Sequence, residues 1–294
     1  MIALQAVTPA GLVGQVPGLT LGEARKAIAQ IHRDEALTPG SALRRTSVVA
    51  IHAAGGAVPA LVVHATARSA VDPFCKLVLA TADGHRIETV RIPLERAGRY
   101  TVCVSSQVGC ALACAFCATG RMGLARNLAA WEIVEQVRAV KRTLTADPAV
   151  PAGARVHGVV FQGMGEPMAN LDRVLAAIAV MTEPAAMQID ARGITVCTSG
   201  LPHGIRRLAR EAPKVRLGVS LGAIRAELRR RIMPIETAHP LDEVLDAVAE
   251  HARATGLAPM WAVTLLAGVN DAPEDAGALA ARALAFAAAT GDRP

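Results

Sequence analysis

The chain has 294 residues, 52% of them hydrophobic, with 31 basic against 25 acidic side chains and a sequence pI near 9.3. That apolar content supports a sizeable core and excludes a disordered chain, and six cysteines are too few for a disulfide-stapled scaffold. The longest unbroken apolar run, 174–181, is far below the ~18 residues of a membrane span, and MIALQAVTPAGLVGQ lacks a basic-then-apolar signal pattern, so a cytoplasmic protein with no membrane partner is expected.

Residues 20–43 predict one or two short helices, with Leu21, Ala24, Ala27, Ile28 and Ile31 at helical spacing and a loop at Thr38-Pro39-Gly40. Residues 1–46 are therefore expected to form a small helical accessory segment. From Ser47 to Pro93 the pattern turns to short β-rich runs, SVVAIHA, AVPALVVHA, KLVLATA and ETVRI, broken by Gly55-Gly56, Asp72-Pro73 and Asp83-Gly84. A small β-rich subdomain over 47–98 is expected.

From 99 to 294 strands and helices alternate. RYTVCVS precedes a helix near 128–144, HGVVFQG a helix near 171–181, and GITVCTS a helix from Pro202. VRLGVSL is followed by helices through Arg231 and over 241–254, and MWAVTLL by a helix from about Glu274. Five β/α units of apolar strands predict parallel strands buried on both faces, hence an α/β fold with a full or partial barrel or an open doubly wound sheet. Either architecture puts its chemistry at the carboxyl ends of the strands.

Cys110, Cys114 and Cys117 stand as Cys-x-x-x-Cys-x-x-Cys directly after the first of these strands. Three thiolates at this spacing ligate three irons of a 4Fe-4S cluster and leave the fourth iron open. Zinc wants a fourth Cys or a His, and the eight histidines offer no paired spacing, while a disulfide is disfavoured in a cytosolic chain. An open iron at the mouth of an α/β barrel suits S-adenosylmethionine and its reductive cleavage to a 5′-deoxyadenosyl radical. Phe116 is either a face for the adenine of that cofactor or a core aromatic. The second strand ends in Gly163-Met164-Gly165-Glu166-Pro167, whose glycines let a ligand approach the backbone and whose Glu166 can accept from an ammonium group.

Only four of the 31 basic side chains are lysine. Arginine suits phosphates and flat bases, and a general compositional preference for Arg explains the same count. Two Trp, one Tyr and four Phe cannot build a long stacking platform, so an RNA site here holds few bases.

The blocks CVSSQVGCALACAFCATGRMGLARNL, VVFQGMGEP, ITVCTSG, SLGAIRAELRRRIMPIE and GVNDAPEDA, in that order, resemble the RlmN/Cfr family of radical S-adenosylmethionine RNA methyltransferases, and the RlmN branch more closely. The likeness runs from about Ile87 onward. It implies a partial (β/α) radical-SAM barrel with a small N-terminal helical and β-sheet extension. It also implies methylation of carbon 2 of an adenine in 23S ribosomal RNA and, for some members, in transfer RNA. By resemblance, Cys110, Cys114 and Cys117 match the cluster ligands, and Gly165, Glu166, Ser220 and Leu221 match cofactor contacts. Glu88 matches a glutamate that acts as acid/base on the substrate adenine, and Cys103 a cysteine that resolves the covalent protein–RNA adduct. On their own residue types, Glu88 reads as a solvated strand carboxylate and Cys103 as a buried strand cysteine. Two positions depart from the family: Cys197 and Gly222 stand where it has Ser and His, changing polar contacts to the cofactor.

The family continues beyond the stretch matched here with a sixth strand, an asparagine that contacts the cofactor and a second catalytic cysteine that is itself methylated. None of the six cysteines lies beyond Cys197. The expectation is a chain without that cysteine, and the alternative is a divergent or truncated iron-sulfur RNA-binding homologue that cleaves S-adenosylmethionine without methylating. The resemblance further implies RNA and an external electron donor such as flavodoxin or ferredoxin as partners, and a monomer.

Overall fold

The computed structural model describes residues 1–291 and 294; Asp292 and Arg293, within the chain end on which an expectation was placed, lie outside the described residues. In chain order the elements are β1 (Ile2–Ala3), α1 (Pro9–Val13), α2 (Leu21–Asp34), α3 (Arg45–Ala53), β2 (Gly56–Ala57), β3 (Val62–Arg68), β4 (Cys75–Ala80), β5 (Arg86–Pro93) and β6 (Arg99–Cys103). There follow β7 (Gln107–Gly109), α4 (Ala118–Arg121), β8 (Leu124–Asn127), α5 (Ala130–Ala146), β9 (Arg155–Phe161), α6 (Leu171–Thr182), β10 (Ile194–Thr198) and α7 (Pro202–Glu211). The last are β11 (Arg216–Ser220), α8 (Ala226–Ile232), α9 (Leu241–Thr255), β12 (Met260–Ala262) and α10 (Pro273–Thr290). The chain divides into two compact units, Met1–Val102 with Ala129–Gly158 and Asp172–Asp190, and Cys103–Leu128 with Val159–Leu171 and Ala191–Pro294. Each is built from three separate stretches, whereas the domains expected from sequence are single ones.

In the first unit α2 starts at a capping box: Thr20 Oγ1 accepts from the Glu23 amide and Glu23 accepts from the Thr20 amide at 3.1 Å. Its Ile28 and Ile31 pack with Leu4, Leu12, Val48 and Ile51 in one apolar cluster. The run SVVAIHA is not a strand as the sequence suggested but lies in α3. Ser47, Val48 and Ile51 are its buried positions, a helical spacing that burial against this cluster rewards over the β preference of Val and Ile. Strands β3, β4 and β5 pair antiparallel, from Val62 opposite Ala80 and Cys75 opposite Arg91. Cys75, Leu77 and Leu79 alternate inward on β4, while every residue of β3 is exposed.

In the second unit β9, β10, β11 and β12 are neighbours in that order and all pair parallel. Their registers set Val196 beside Phe161, Thr198 beside Val219 and Ser220 beside Ala262, so the carboxyl ends of the strands line up. Val159, Phe161, Ile194, Val196, Leu217 and Val219 are each at most 1% exposed and, at every second position in register, form one fully buried face of the parallel sheet. A short antiparallel hairpin that the sequence did not suggest, β7 with β8, flanks the cysteine loop.

Candidate active site

The cysteine loop closes between the strands of that hairpin, where Gln107 faces Asn127 and the Cys110 amide donates to Gly123 O at 2.9 Å. Gly109, at φ +77°, sits where a Cβ would come within 1.8 Å of the Gly123 carbonyl oxygen, so only glycine lets the two strands approach here. Further along, the Ala115 amide donates to Ile232 O and the Cys117 amide to Cys114 O, fixing the loop against α8. Burial pushes the Cys110 thiol up and the Cys114 thiol up to about 11, with Cys110 and Cys117 adding to the rise at Cys114 and Glu166 and Cys117 to that at Cys110. Without a metal these thiols hold their protons; a bound cluster would take them as thiolates and release protons. Among the described residues no three His, Cys, Asp or Glu side chains are grouped as ligands of a single metal ion. The three thiols instead surround one cavity of about 220 Å³, the arrangement a 4Fe-4S cubane uses, since each thiolate bonds a separate iron.

The other wall of this cavity is made by strand ends: Gln162, Gly163, Gly165 and Glu166 after β9, Cys197 to Ser199 at β10, Ser220 and Gly222 at β11, and Ala262 with Thr264 at β12. The two glycines after β9 have a structural reason. A Cβ on Gly163 would lie 2.7 Å from Val104 O, and one on Gly165, at φ +96°, 2.5 Å from the Gln107 Cβ. The freedom read from sequence as room for a ligand is used here by residues 104–107, which run behind the turn.

Glu166 is 3% exposed, and its carboxylate accepts from the Met168 amide at 3.0 Å and the Ser199 amide at 2.9 Å. Burial raises its pKa, against the opposing pull of those two donors and the Thr198 side chain. Its own amide donates to Gln107 Oε1 at 2.8 Å. The turn is thus locked before any ligand arrives, and with three donors on its two oxygens the carboxylate keeps one acceptor site for a cationic or hydroxyl group in the cavity. Behind Ser199 stands Arg229, fully buried, donating to Ser199 O at 2.8 Å and Leu221 O at 2.9 Å and paired with Glu236.

Residues 104–276, more than half of the chain, match the family model of the radical SAM superfamily. The chain belongs to the radical SAM superfamily. A probable RNA methyltransferase of Sorangium cellulosum is 60% identical over 94% of this chain and 70% of its own length. A dual-specificity RNA methyltransferase RlmN of Syntrophobacter fumaroxidans is 46% identical over 70% of this chain and 57% of its own length, so the chain spans little more than half of that relative. The crystal structure of a radical SAM methyltransferase from Sphaerobacter thermophilus matches with a TM-score of 0.84 and 34% identity, over 96% of this chain and 81% of that one. The resemblance read from the motifs and the α/β fold class therefore both stand, and among the described residues no helix is long and apolar enough to cross a membrane.

Against this radical SAM fold, the residues singled out from sequence separate clearly. Cys110, Cys114, Cys117, Phe116, Gly165, Glu166, Cys197, Ser220 and Gly222 line the one cavity. Phe116 both lines the cavity and packs on the apolar cluster of Cys114, Ile232 and Met233. Leu221 is not in the lining: it is fully buried, its amide donating to Ala262 O at 2.9 Å. Gly222 has φ +70° and its missing Cβ would fall 2.1 Å from Met233 Sδ, so a side chain here strains the backbone and displaces Met233. Cys103 is half-buried at the end of β6, its thiol pushed up to about 11 by burial, and it neighbours Cys197, which burial pushes up to about 12. Glu88 belongs to the first unit, on β5, where it pairs with Lys76 Nζ at 2.9 Å. Gln107, Asn170 and Arg229 were not found from sequence. Asn170 Nδ2 donates to Ser106 O at 2.8 Å and Leu128 O at 2.9 Å, holding the ends of the cysteine-bearing segment.

Proposed function

We propose that the chain is a radical S-adenosylmethionine RNA methyltransferase of the RlmN type that methylates carbon 2 of an adenine in 23S ribosomal RNA and in transfer RNA. One observation carries this reading: three thiols at cluster spacing and the aligned ends of parallel strands β9, β10 and β11 line a single cavity. A 4Fe-4S cluster on Cys110, Cys114 and Cys117 would offer one open iron to S-adenosylmethionine and supply the electron that cleaves it. The names of the relatives, RNA methyltransferase and RlmN, support RNA as the substrate.

The chain's own residues then bind, orient and exclude water. Gly165 and Glu166, fixed by Gln107 and Ser199, present backbone and carboxylate acceptors to the cofactor's ammonium, and Ser220 presents a hydroxyl from the neighbouring strand end. By the resemblance Cys103 is the thiol that releases an adduct borne by a second, methyl-carrying cysteine, a task that only Cys75 or Cys197 is left to fill here; its thiol, raised by burial, needs a base to act. Glu88 is the acid/base group toward the adenine. The adenine must leave its stack to reach such a site, and a one-electron donor of the flavodoxin or ferredoxin kind must dock from outside.

Anaerobic reconstitution followed by incubation with reductant, labelled S-adenosylmethionine and ribosomal RNA fragments, then digestion to nucleosides, tests the reading. Labelled 2-methyladenosine is the outcome this reading expects, and it requires Cys75, Cys103 or Cys197 to carry the methyl group; iron should be near four per chain and be lost when Cys110, Cys114 and Cys117 are all changed to Ala. Labelled 8-methyladenosine would move the chain to the Cfr reaction. 5′-Deoxyadenosine without any methylated nucleoside would favour the homologue that cleaves the cofactor only.

A further inference from the structure

A second cavity, of about 540 Å³, is lined wholly by residues of the first unit, Arg138, Lys141, Arg155, His157 and His32 among them. Arg155 donates from Nε to Nε2 of His157 at 2.9 Å, which makes that ring an acceptor, and among the described residues no carboxylate is paired with this guanidinium. Arg96 and Arg99 stand close by. Burial first, then the positive charges of Arg96 and Arg155, lower the pKa of Arg99, and burial followed by Arg99, Arg155 and Arg96 lowers that of His157. Arg96 and Arg155 thus lie near enough to Arg99 for their charges to act on it, and Asp190 is the one acidic residue of the cavity lining among the described residues. Other arginines of the chain behave differently: Arg206 holds Glu250 at 2.7 Å, Arg225 holds Asp275 at 2.7 Å, and Arg68 and Arg91 share Asp147.

The cavity wall supplies an independent sign of an occupant. His32 is 6% exposed and its Nε2 has no hydrogen-bond partner, while burial, with Arg138 and Lys141 adding to it, holds the ring neutral at a pKa of about 3. A buried polar atom without a partner costs about 1–3 kcal/mol; this nitrogen is closed to water, so a hydroxyl or amine from an occupant would satisfy it only if the His32 ring turned towards the cavity. No Phe, Tyr or Trp lines this cavity among the described residues, so base stacking is not its mode of recognition. Crowded guanidiniums match phosphate, which they bind bidentately.

We propose that this cavity, with Arg96, Arg99 and Arg155 at its side, is a nucleotide site separate from the cysteine cavity, taking a phosphate on the guanidiniums and a ribose or base donor inside. The phosphate can belong to an RNA strand or to a free mononucleotide; the RNA source rests on the function proposed above.

The test compares the full chain with R96Q/R99Q/R155Q and with the single reversal Arg155→Glu at an exposed position, using a fluorescent ribosomal RNA hairpin and AMP as probes. R206Q/R207Q, which removes arginines already paired to carboxylates, is the control. For the triple variant, RNA affinity is expected to fall at least tenfold, and the slope of log affinity against log salt to lose about 2, as three phosphate contacts predict; the control should change neither. AMP displacing the hairpin from the wild-type chain would identify a site open to free nucleotides, and RNA binding without displacement a site for the strand alone. RNA and AMP binding that are the same in both variants as in the wild-type chain would overturn the proposal. If the wild-type chain binds AMP through these arginines but no RNA, the site stands and the RNA substrate fails; if wild type and variants bind RNA alike, the reverse holds.

Discussion

Glu166 and Arg229 grip the same residue from its two backbone ends: the Ser199 amide donates to the carboxylate at 2.9 Å and the Ser199 carbonyl accepts from the guanidinium at 2.8 Å. Arg229 is fully buried, and Glu236 balances its charge while also accepting the Leu241 amide at 3.0 Å. Glu236→Ala leaves that cation in the core with two carbonyl acceptors but no counter-charge, a change that costs about 3–5 kcal/mol. Urea unfolding should register the loss, and S-adenosylmethionine affinity of the folded fraction should fall with it as the Ser199 turn loosens. A loss below about 1 kcal/mol would mean that the buried pair does not hold the strand ends.

The turn after β9 depends on Gly165 in a way that Gly153 does not share. Both have positive φ, +96° and +77°, but a Cβ at Gly165 would overlap Gln107 while one at Gly153 meets nothing within 4 Å. Gly153→Ala should cost about 1 kcal/mol of backbone strain, and Gly165→Ala that amount plus the overlap, roughly 3 kcal/mol in all. Equal melting temperatures for the two variants would show that the Gln107 contact yields freely.

Burial holds His251 on α9 at a pKa of about 4, with both ring nitrogens unpartnered. Its folded pKa lies below the unfolded value near 6.5, so protonation favours the unfolded chain. The stability tied to this neutral ring is complete above pH 6.5 and is lost as pH falls towards 4, up to about 3 kcal/mol. His251→Leu should flatten the pH dependence of the urea midpoint between pH 7 and 4.5, a range in which His32 adds a decline of the same sign.

Cys197, pushed up to about 12 by burial, keeps a far smaller thiolate fraction than an ordinary thiol near 9. Alkylation by iodoacetamide at pH 8, followed by mass spectrometry of the peptides, should label it about a hundredfold or more slowly than a free cysteine. Rapid labelling in the folded chain would place the sulfur in a wetter setting than β10 provides.

Strand and helix order, the cysteine loop and the glycine-glutamate turn were legible because each rests on short-range spacing. The reading of 47–53 as a strand failed because Val48, Val49 and Ile51 carry β preference locally, whereas packing with Ile28 and Ile31 decides their conformation. Gln107 and Asn170 were invisible for a different reason: their partners, Glu166 and Ser106, lie 59 and 64 residues away, and no local pattern encodes which amide will meet which carbonyl. Gly163 and Gly165 show a subtler limit. Their presence pointed to a tight approach, but only the fold reveals that residues 104–107 are what approaches.

The hairpin of β7 and β8 changes how metal would enter this protein. Backbone hydrogen bonds and the side-chain bond from Gln107 Nε2 to Asn127 Oδ1, at 2.7 Å, already tie together the two ends of the segment that carries the three thiols. The chain entropy of closing that loop is spent during folding of the polypeptide, unlike in zinc fingers, where ligation itself drives folding. Chelating the iron should therefore leave an ordered apoprotein whose thiols are reprotonated in place, ready for a cluster to be delivered whole or rebuilt from iron and sulfide.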